Sequence, residues 1–400
     1  HFREMDIDCQ TREFTCGGIG DMAGDVFGNG MLLSKHIRLL AAFNHMHIFI
    51  DPNPDAAKTF VERERLFNLP ASSWADYNTK LISKGGGIFL RSEKEIKLSP
   101  EVRALLGTDK MVMAPNELMK TLLKAEYDLL WNGGIGTYVK SVKETHADVG
   151  DRANDGLRVN GSELRCKVIG EGGNLGCTQL GRIEFAMAGG RANTDFIDNV
   201  GGVDCSDNEV NIKILLNELV AAGDLTMKQR NELLASMTDA VGDIVIEDCY
   251  QQSQSISISE MRAPAMVKEH TRFIHWLEKQ GKLDRALEFL PSDEEMLERR
   301  AQGKGLTRPE LAILTAYGKM VLKQALLTEE ISGNPYFTKL LITNFPAPLQ
   351  KRYADAMQRH RLRGEIIANQ LANEIVNLMG GNFVHRLIDE TGHNAAEIAI

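Results

Sequence analysis

Three features of the sequence predict an α/β fold followed by an all-helical region. Through the first 200 residues, short apolar runs feed glycine-dense turns four times. The first turn leads into an apolar, helix-compatible stretch and then a second apolar run that ends on an acid. Beyond Gly223 glycine thins out and long helical patterns take over. Open parallel sheets bind ligands at the carboxyl ends of their strands, so glycine at successive strand ends points to a crevice where backbone approaches a ligand. The predicted architecture is a Rossmann-like, doubly wound parallel sheet over residues 1–222 and a helical C-terminal domain over residues 223–400.

The elements justify this in order. Phe14 to Cys16 reads as a strand and residues 17–30 as the first glycine turn. Met31 to Phe43 is compatible with a helix, and His47-Ile48-Phe49-Ile50 is a second strand that ends on Asp51. Strand, glycine turn, helix, strand and acid is the order of a dinucleotide-binding unit. In that reading Gly18 allows the tight turn, Gly20 lets backbone approach a pyrophosphate, and Gly24 lets helix pack closely on strand. Asp51 accepts hydrogen bonds from the adenine ribose, and the phosphates sit on free N–H groups at the helix N-terminus. The spacing is Gly-x-Gly-x-x-x-Gly, one residue longer than the standard fingerprint. Asp51 lies 33 residues after Gly18, against the usual ~20. The alternative is a glycine-rich surface loop in which Asp21, Asp25 and Asn29 favour turns.

A helix is expected from about Ala56 to Phe67, with further helix starts at Ser99-Pro100-Glu101 and Ala114-Pro115-Asn116. Tyr127 to Trp131 is a strand that ends in Asn132-Gly133-Gly134. Arg165 to Gly170 is another that feeds Glu171-Gly172-Gly173-Asn174. Asn199-Val200-Gly201-Gly202-Val203 is the fourth glycine turn, before a helix from Ser206 to Ala222. In the C-terminal region Thr226/Gln229, Ser292/Glu295 and Thr307/Glu310 carry capping-box spacing. Leu311, Leu314, Gly318, Val321 and Ala325 form a helical stripe, and helix also suits Leu349 to Met379. This helical segment is expected to pack on the sheet domain and to mediate assembly.

The composition, 43% hydrophobic and 25% charged, is that of a globular domain. A net charge of −9 argues against nucleic acid or an anionic membrane as the main partner. The six cysteines form no C-x-x-C pair, which suits reduced thiols and a cytoplasmic location. No apolar run is long enough for a membrane span. His45-x-His47 offers two imidazoles but no third ligand, so structural histidines rather than a metal site are expected. Both ends of the chain read as interior to helices, which suggests a piece of a longer polypeptide.

The later turns carry a resemblance. Glu171-Gly-Gly-Asn-Leu-Gly-Cys-Thr178 is similar to the Glu-Gly-Ala-Asn-Gly-Pro-Thr-Thr segment of glutamate dehydrogenases. Asn199-Val-Gly-Gly-Val-Asp-Cys-Ser206 is similar to their Asn-Ala-Gly-Gly-Val-x-x-Ser segment. The stretches Gly20 to Leu32, Asp128 to Tyr138 and Gly202 to Lys213 resemble the large bacterial NAD-specific branch, along essentially the whole chain. The resemblance implies NAD-dependent oxidative deamination of L-glutamate to 2-oxoglutarate and ammonia, in a homo-oligomer. It implies that Gly18, Gly20, Asp21, Met22 and Gly24 line the pyrophosphate and that Asp51 disfavours a 2′-phosphate. Asn132 and Gly133 would sit near the nicotinamide-side ribose, Asn174 near the nicotinamide, and Ser206 at the substrate's side-chain carboxylate. The family's catalytic lysine and aspartate lie in a domain that precedes the cofactor domain, so the catalytic pair is expected upstream of this chain. Amine chemistry needs a lysine with a lowered pKa, and Lys84, followed by three glycines, is a substitute candidate; it comes after the dinucleotide turn, in the wrong order, and is read instead as a loop residue or phosphate contact. Two other readings remain: a related dehydrogenase of apolar amino acids, against which Ser206 argues, and a non-catalytic nucleotide-binding or assembly module.

Overall fold

The computed structural model describes residues 1–400. The chain divides into two compact units, His1–Asn199 and Val200–Ile400. The change of composition had placed this division at 222/223.

In the first unit a six-stranded sheet comprises β1 (Phe14–Ile19), β2 (Ile37–Phe43), β3 (His47–Ile50), β4 (Gly87–Leu90), β5 (Leu129–Asn132) and β6 (Val168–Glu171). Their order is β6-β5-β1-β2-β3-β4. β6, β5, β1 and β2 are mutually parallel, whereas β3 and β4 are antiparallel to their neighbours. Both faces are buried, as a largely parallel sheet requires. One face places Phe14, Cys16, Ile37 and Leu39 against α1 (Asp25–Leu32) and α2 (Ala56–Asn68) through Phe27, Met31 and Leu66. The other places Leu40, Phe43, Ile48 and Ile50 against α3 (Pro100–Leu106) and α4 (Pro115–Leu123) through Val102, Leu106, Leu118 and Leu122. Both α3 and α4 begin with proline in the first turn, as their sequences indicate.

The main departure lies between residues 31 and 43. The helix is Asp25–Leu32, formed within the expected glycine turn, and Ile37–Phe43, expected to be helical, is a strand. Only Arg38 in this strand is not buried, and a run buried on both sides has no period that separates strand from helix. Asn44 then turns the chain: its Oδ1 accepts the Met46 and His47 N–H groups at 2.8 and 2.7 Å, an Asx turn. β3 therefore runs backwards. Asp51, whose N–H donates to Leu40 O at 2.8 Å, is carried away from the carboxyl edge of the parallel strands. Leu40 lies three residues before the end of β2, roughly 10 Å down the strand at ~3.3 Å per residue.

Every regular element of the second unit is a helix. The fourth glycine turn is absorbed into one: α5 (Gly201–Ala221) starts on Gly201 and Gly202. The capping boxes at Thr226, Ser292 and Thr307 all form. The buried stripe of α6 (Arg308–Leu326) runs through Leu311, Leu314, Gly318, Leu322 and Leu326, one step off the expected Val321 and Ala325. The stretch 349–379 is broken. Helices end at Gln350 and Gln358 before α7 (Arg363–Met379), and His360 fills the gap, with Nδ1 accepting the Leu362 N–H at 3.1 Å. No helix is long and apolar enough to cross a membrane.

At Gly318, α6 meets backbone rather than side chains. An added Cβ would lie 2.4 Å from Gly381 O and 2.8 Å from its Cα, atoms that cannot swing aside. Alanine gains up to about 1 kcal/mol over glycine in a helix interior, but overpacking costs about 1–3 kcal/mol. Gly318→Ala is therefore expected to lower the denaturant midpoint. Gly242→Ala, on a helix position with nothing within 4 Å of the added Cβ, should raise it.

Candidate functional site

The sheet has one point where the chain reverses its direction of growth. After β1 it adds β2, β3 and β4 outward on one side, then returns to place β5 and β6 on the other. Such a switch point opens a crevice outside the carboxyl ends of the strands. Three glycines stand side by side there. Gly20 N–H donates to Phe43 O at 2.7 Å, Gly133 N–H to Ile19 O at 2.9 Å, and Gly172 N–H to Asn132 O at 2.9 Å, so each continues the ladder one residue past its strand.

A cleft of about 710 Å³ occupies this edge, within the usual range for small-molecule sites. Gly20, Asp21 and Gly24 form its floor on one side, Gly133 and Asn174 on the other, with Asn44, His45 and Arg91 at the end of β2. Gly24, which lines the cleft, is the N-cap of α1 in extended conformation, and no side chain caps the helix, so its first N–H groups have no intrahelical or capping partner. α1 comes this close because Phe27 sits where side chains would otherwise be. An added Cβ would lie 2.4 Å from the Phe27 ring at Gly18, 2.7 Å from its Cβ at Gly20, and 2.6 Å from its Cα at Gly133. Gly20 also has φ +138°, which favours glycine. Its carbonyl accepts the buried Trp74 indole N–H at 3.0 Å, and Trp74 stacks on Phe49 with ring centroids 4.7 Å apart. At the far end of α1, the buried Arg63 guanidinium donates to Met31 O and Ile37 O, each at 3.3 Å.

Asp21 is fastened on both oxygens. Oδ1 accepts the Ala23 and Gly24 N–H groups at 3.1 and 3.0 Å, and Oδ2 accepts Asn44 Nδ2 at 2.6 Å. Arg91 Nη1 donates to Asn44 O at 3.0 Å. The opposite wall is held by Arg158, fully buried, which donates to Thr137 O at 2.9 Å, Asp151 O at 2.6 Å and Asp155 Oδ1 at 2.7 Å.

The loop that carries Asn174 rests on a buried ion pair. Arg182 binds Glu171 in a two-pronged contact, Nε to Oε2 at 2.6 Å and Nη2 to Oε1 at 2.9 Å. Glu171 Oε1 also accepts the Cys177 N–H at 2.9 Å. Asp195 lies 3.3 Å from Arg182 Nη2 and accepts the N–H of Leu175, which sits at φ +58°. Asp198 accepts the Glu171 N–H at 3.0 Å and Asn193 Nδ2 at 2.8 Å, and burial pushes its carboxyl up to about 6. Asn174 Oδ1 accepts Asn199 Nδ2 at 2.5 Å.

Of the residues singled out from the sequence, Gly20, Asp21, Gly24, Gly133 and Asn174 converge on the cleft. Gly18 lies within β1 under Phe27, Met22 is buried in the core behind the turn, and Asn132 is buried at the end of β5. Asp51 is not brought to the cleft. It is fully buried and its Oδ1 accepts Ser83 Oγ, the Ser83 N–H at 3.1 Å and the Asn53 N–H at 3.3 Å, because the reversal at Asn44 sends its strand the other way. Ser206 is exposed on α5 in the second unit, with Oγ donating to Gly202 O at 3.1 Å. Lys84 is exposed and pairs with Glu101 at 2.9 Å, which raises its pKa, the opposite of what amine chemistry requires. His45 lines the cleft, whereas His47 is buried in β3.

Asn44, Arg91, Trp74, Arg158 and Arg182 had no motif to announce them; the Asx-turn potential of Asn44 between two apolar runs was the one local signal. A cavity of about 130 Å³ in the second unit was equally silent. There Lys319 donates to Gln252 Oε1 at 3.0 Å and burial draws its ammonium down to about 8. Asp204 rises to about 6 through burial and the charges of Asp248 and Asp207.

Comparison with known proteins identifies the relatives. Residues 1–259 match the family described as bacterial NAD-glutamate dehydrogenase, catalytic domain, and residues 303–400 match glutamate dehydrogenase, C-terminal. The chain is 62% identical over 399 residues to the NAD-specific glutamate dehydrogenase of Pseudomonas aeruginosa and 55% identical over 399 residues to that of Halomonas elongata. It is 51% identical over 398 residues to that of Mycobacterium tuberculosis. It spans 25%, 25% and 24% of their lengths, while 100%, 100% and 98% of this chain is covered.

Two outcomes follow from the buried network. Arg182→Met leaves Glu171 charged and unpaired, and should cost about 3–5 kcal/mol in denaturant unfolding. The double change Glu171→Leu with Arg182→Met should recover only part of that loss, because Asp195 and the Cys177 N–H stay without their partners. Asp198 has a folded pKa above its unfolded value of 3.8, so the folded state takes up its proton first. Its contribution to stability should rise as pH falls from about 6 towards 3.8, and Asp198→Asn should flatten that part of the stability–pH curve.

Proposed function

Because this chain belongs to the bacterial NAD-glutamate dehydrogenase family, we propose that its cleft is the NAD site of an enzyme that oxidises L-glutamate to 2-oxoglutarate and ammonia. The observation that carries the reading is the convergence of Gly20, Gly133 and Gly172 at the sheet's switch point, beside an α1 N-terminus that no side chain caps. The sheet is read as Rossmann-type, with β3 and β4 as an antiparallel extension of the doubly wound core.

These residues suit a dinucleotide. The uncapped N–H groups at the start of α1 would present donors to a pyrophosphate, and the helix dipole favours its charge. Asn44, tied to Asp21, stands at the end of β2 where the adenine ribose would lie, in the place first given to Asp51. Gly133, which lines the cleft, would lie near the nicotinamide-side ribose, next to the buried Asn132. Asn174, braced by Asn199 and the Arg182 network, would hydrogen-bond near the nicotinamide. NAD, when bound, supplies the acceptor for the hydride, and the chain's own groups supply orientation. Ser206 is proposed for the substrate's side-chain carboxylate. The catalytic lysine and aspartate are proposed to come from a segment outside this chain, which spans a quarter of its relatives' length.

The test is glutamate-dependent NADH formation by the polypeptide that carries this chain. Asn174→Ala should raise KM for NAD or lower kcat by about 3- to 10-fold, the effect of one lost hydrogen bond of ~0.5–1.5 kcal/mol. Absence of glutamate-dependent turnover would refute the reading.

A further inference from the structure

Three segments distant in sequence meet at the carboxyl end of β2, and their hydrogen bonds are unequal in what they leave free. In a dinucleotide-binding unit an acid at this strand end takes the adenine-ribose hydroxyls. Here the position belongs to Asn44, whose amide is largely engaged: Oδ1 accepts two backbone N–H groups, and one of the two Nδ2 hydrogens is donated to Asp21 at 2.6 Å. The effect is to hold the Asp21 carboxylate against the ribose corner. An ionised carboxylate offers about four acceptor positions, and the Ala23 N–H, the Gly24 N–H and Asn44 Nδ2 take three of them. One remains for a hydroxyl. Arg91 reaches the same corner from the end of β4. Its Nη1 donates to Asn44 O at 3.0 Å, and it is the one permanently charged cation among the cleft residues.

Resting on the dinucleotide reading above, we infer that Asp21, rather than Asp51, sets the choice between NAD and NADP, and that Arg91 is the counter-charge a 2′-phosphate would use once that carboxylate is neutral. A ribose hydroxyl donates to the free acceptor position on Asp21. A 2′-phosphate would bring its own negative charge against the carboxylate, and like charges in contact reject a ligand more strongly than a missing hydrogen bond does. Asp51 has no part in this choice, because it is buried at the other end of the strand pair and engaged by Ser83.

The experiment is calorimetric titration of NAD, NADP and adenosine 2′,5′-bisphosphate into the chain and its variants. In Asp21→Asn the NAD-to-NADP affinity ratio should fall by at least about tenfold, the equivalent of ~1.4 kcal/mol. Adenosine 2′,5′-bisphosphate should bind Asp21→Asn more tightly than the parent, and adding Arg91→Gln should remove that gain. Asp51→Asn should leave the ratio unchanged. Asp21→Ser keeps a side-chain acceptor for the turn and is a second route to the same shift if the asparagine variant binds no nucleotide. An unchanged ratio in a variant that still binds NAD, or a ratio that moves with Asp51→Asn instead, would overturn the assignment. A parent chain that binds neither NAD nor NADP would overturn the dinucleotide reading itself, and this inference with it.

Discussion

The cleft depends on how closely α1 approaches the sheet, and Phe27 sets that distance. Its ring and backbone fill the space that side chains at Gly18, Gly20 and Gly133 would need. These glycines lie on two neighbouring strands, or one residue past their ends, so the contact fixes the helix against β1 and β5 together. The N-terminus of α1 is thereby delivered to the edge where three backbone N–H groups already line up. Trp74, through the Gly20 carbonyl, and Arg63, through the Met31 and Ile37 carbonyls, secure the turn and the far end of the same helix. The glycines of the first turn thus serve close packing of the helix on the sheet.

This explains which parts of the molecule could be read from the sequence. Glycines under geometric constraint leave a local trace, and so the turns after β1, β5 and β6 were legible. Capping boxes are local too, and all three expected ones form. Strand direction is not local. Ile37–Phe43 is buried on both sides and carries no period, and a single asparagine decides whether the next strand runs forward or back. That one reversal moved the acid expected at the ribose to the opposite end of the strand pair. The Gly201-Gly202 pair shows the converse: glycines that resembled a loop open a helix of 21 residues, where the sequence before them forms no strand.

The supports of the cleft were hidden for a different reason. Arg63, Arg158 and Arg182 are buried arginines that, beside nearer partners such as Asp155, reach groups 32, 21 and 11 residues away at Met31, Thr137 and Glu171. Burying a guanidinium is unfavourable unless its donors are met, so each such residue fixes several chain segments at once. No spacing rule identifies them, because the constraint is three-dimensional satisfaction and not periodicity.

The Glu171–Arg182 pair has a consequence for motion. The loop it supports is surface chain with a residue at positive φ, and by appearance it belongs with the segments that fray first. Yet the Leu175 and Cys177 amides donate to Asp195 and Glu171, both tied to Arg182. Letting the loop open would strip these two largely buried carboxylates of their backbone donors, a larger cost than loop motion ordinarily carries. Amide protons in this loop should therefore exchange with solvent on the slow timescale of the sheet beneath them, so that the wall of the cleft behaves as part of its rigid frame rather than as a lid.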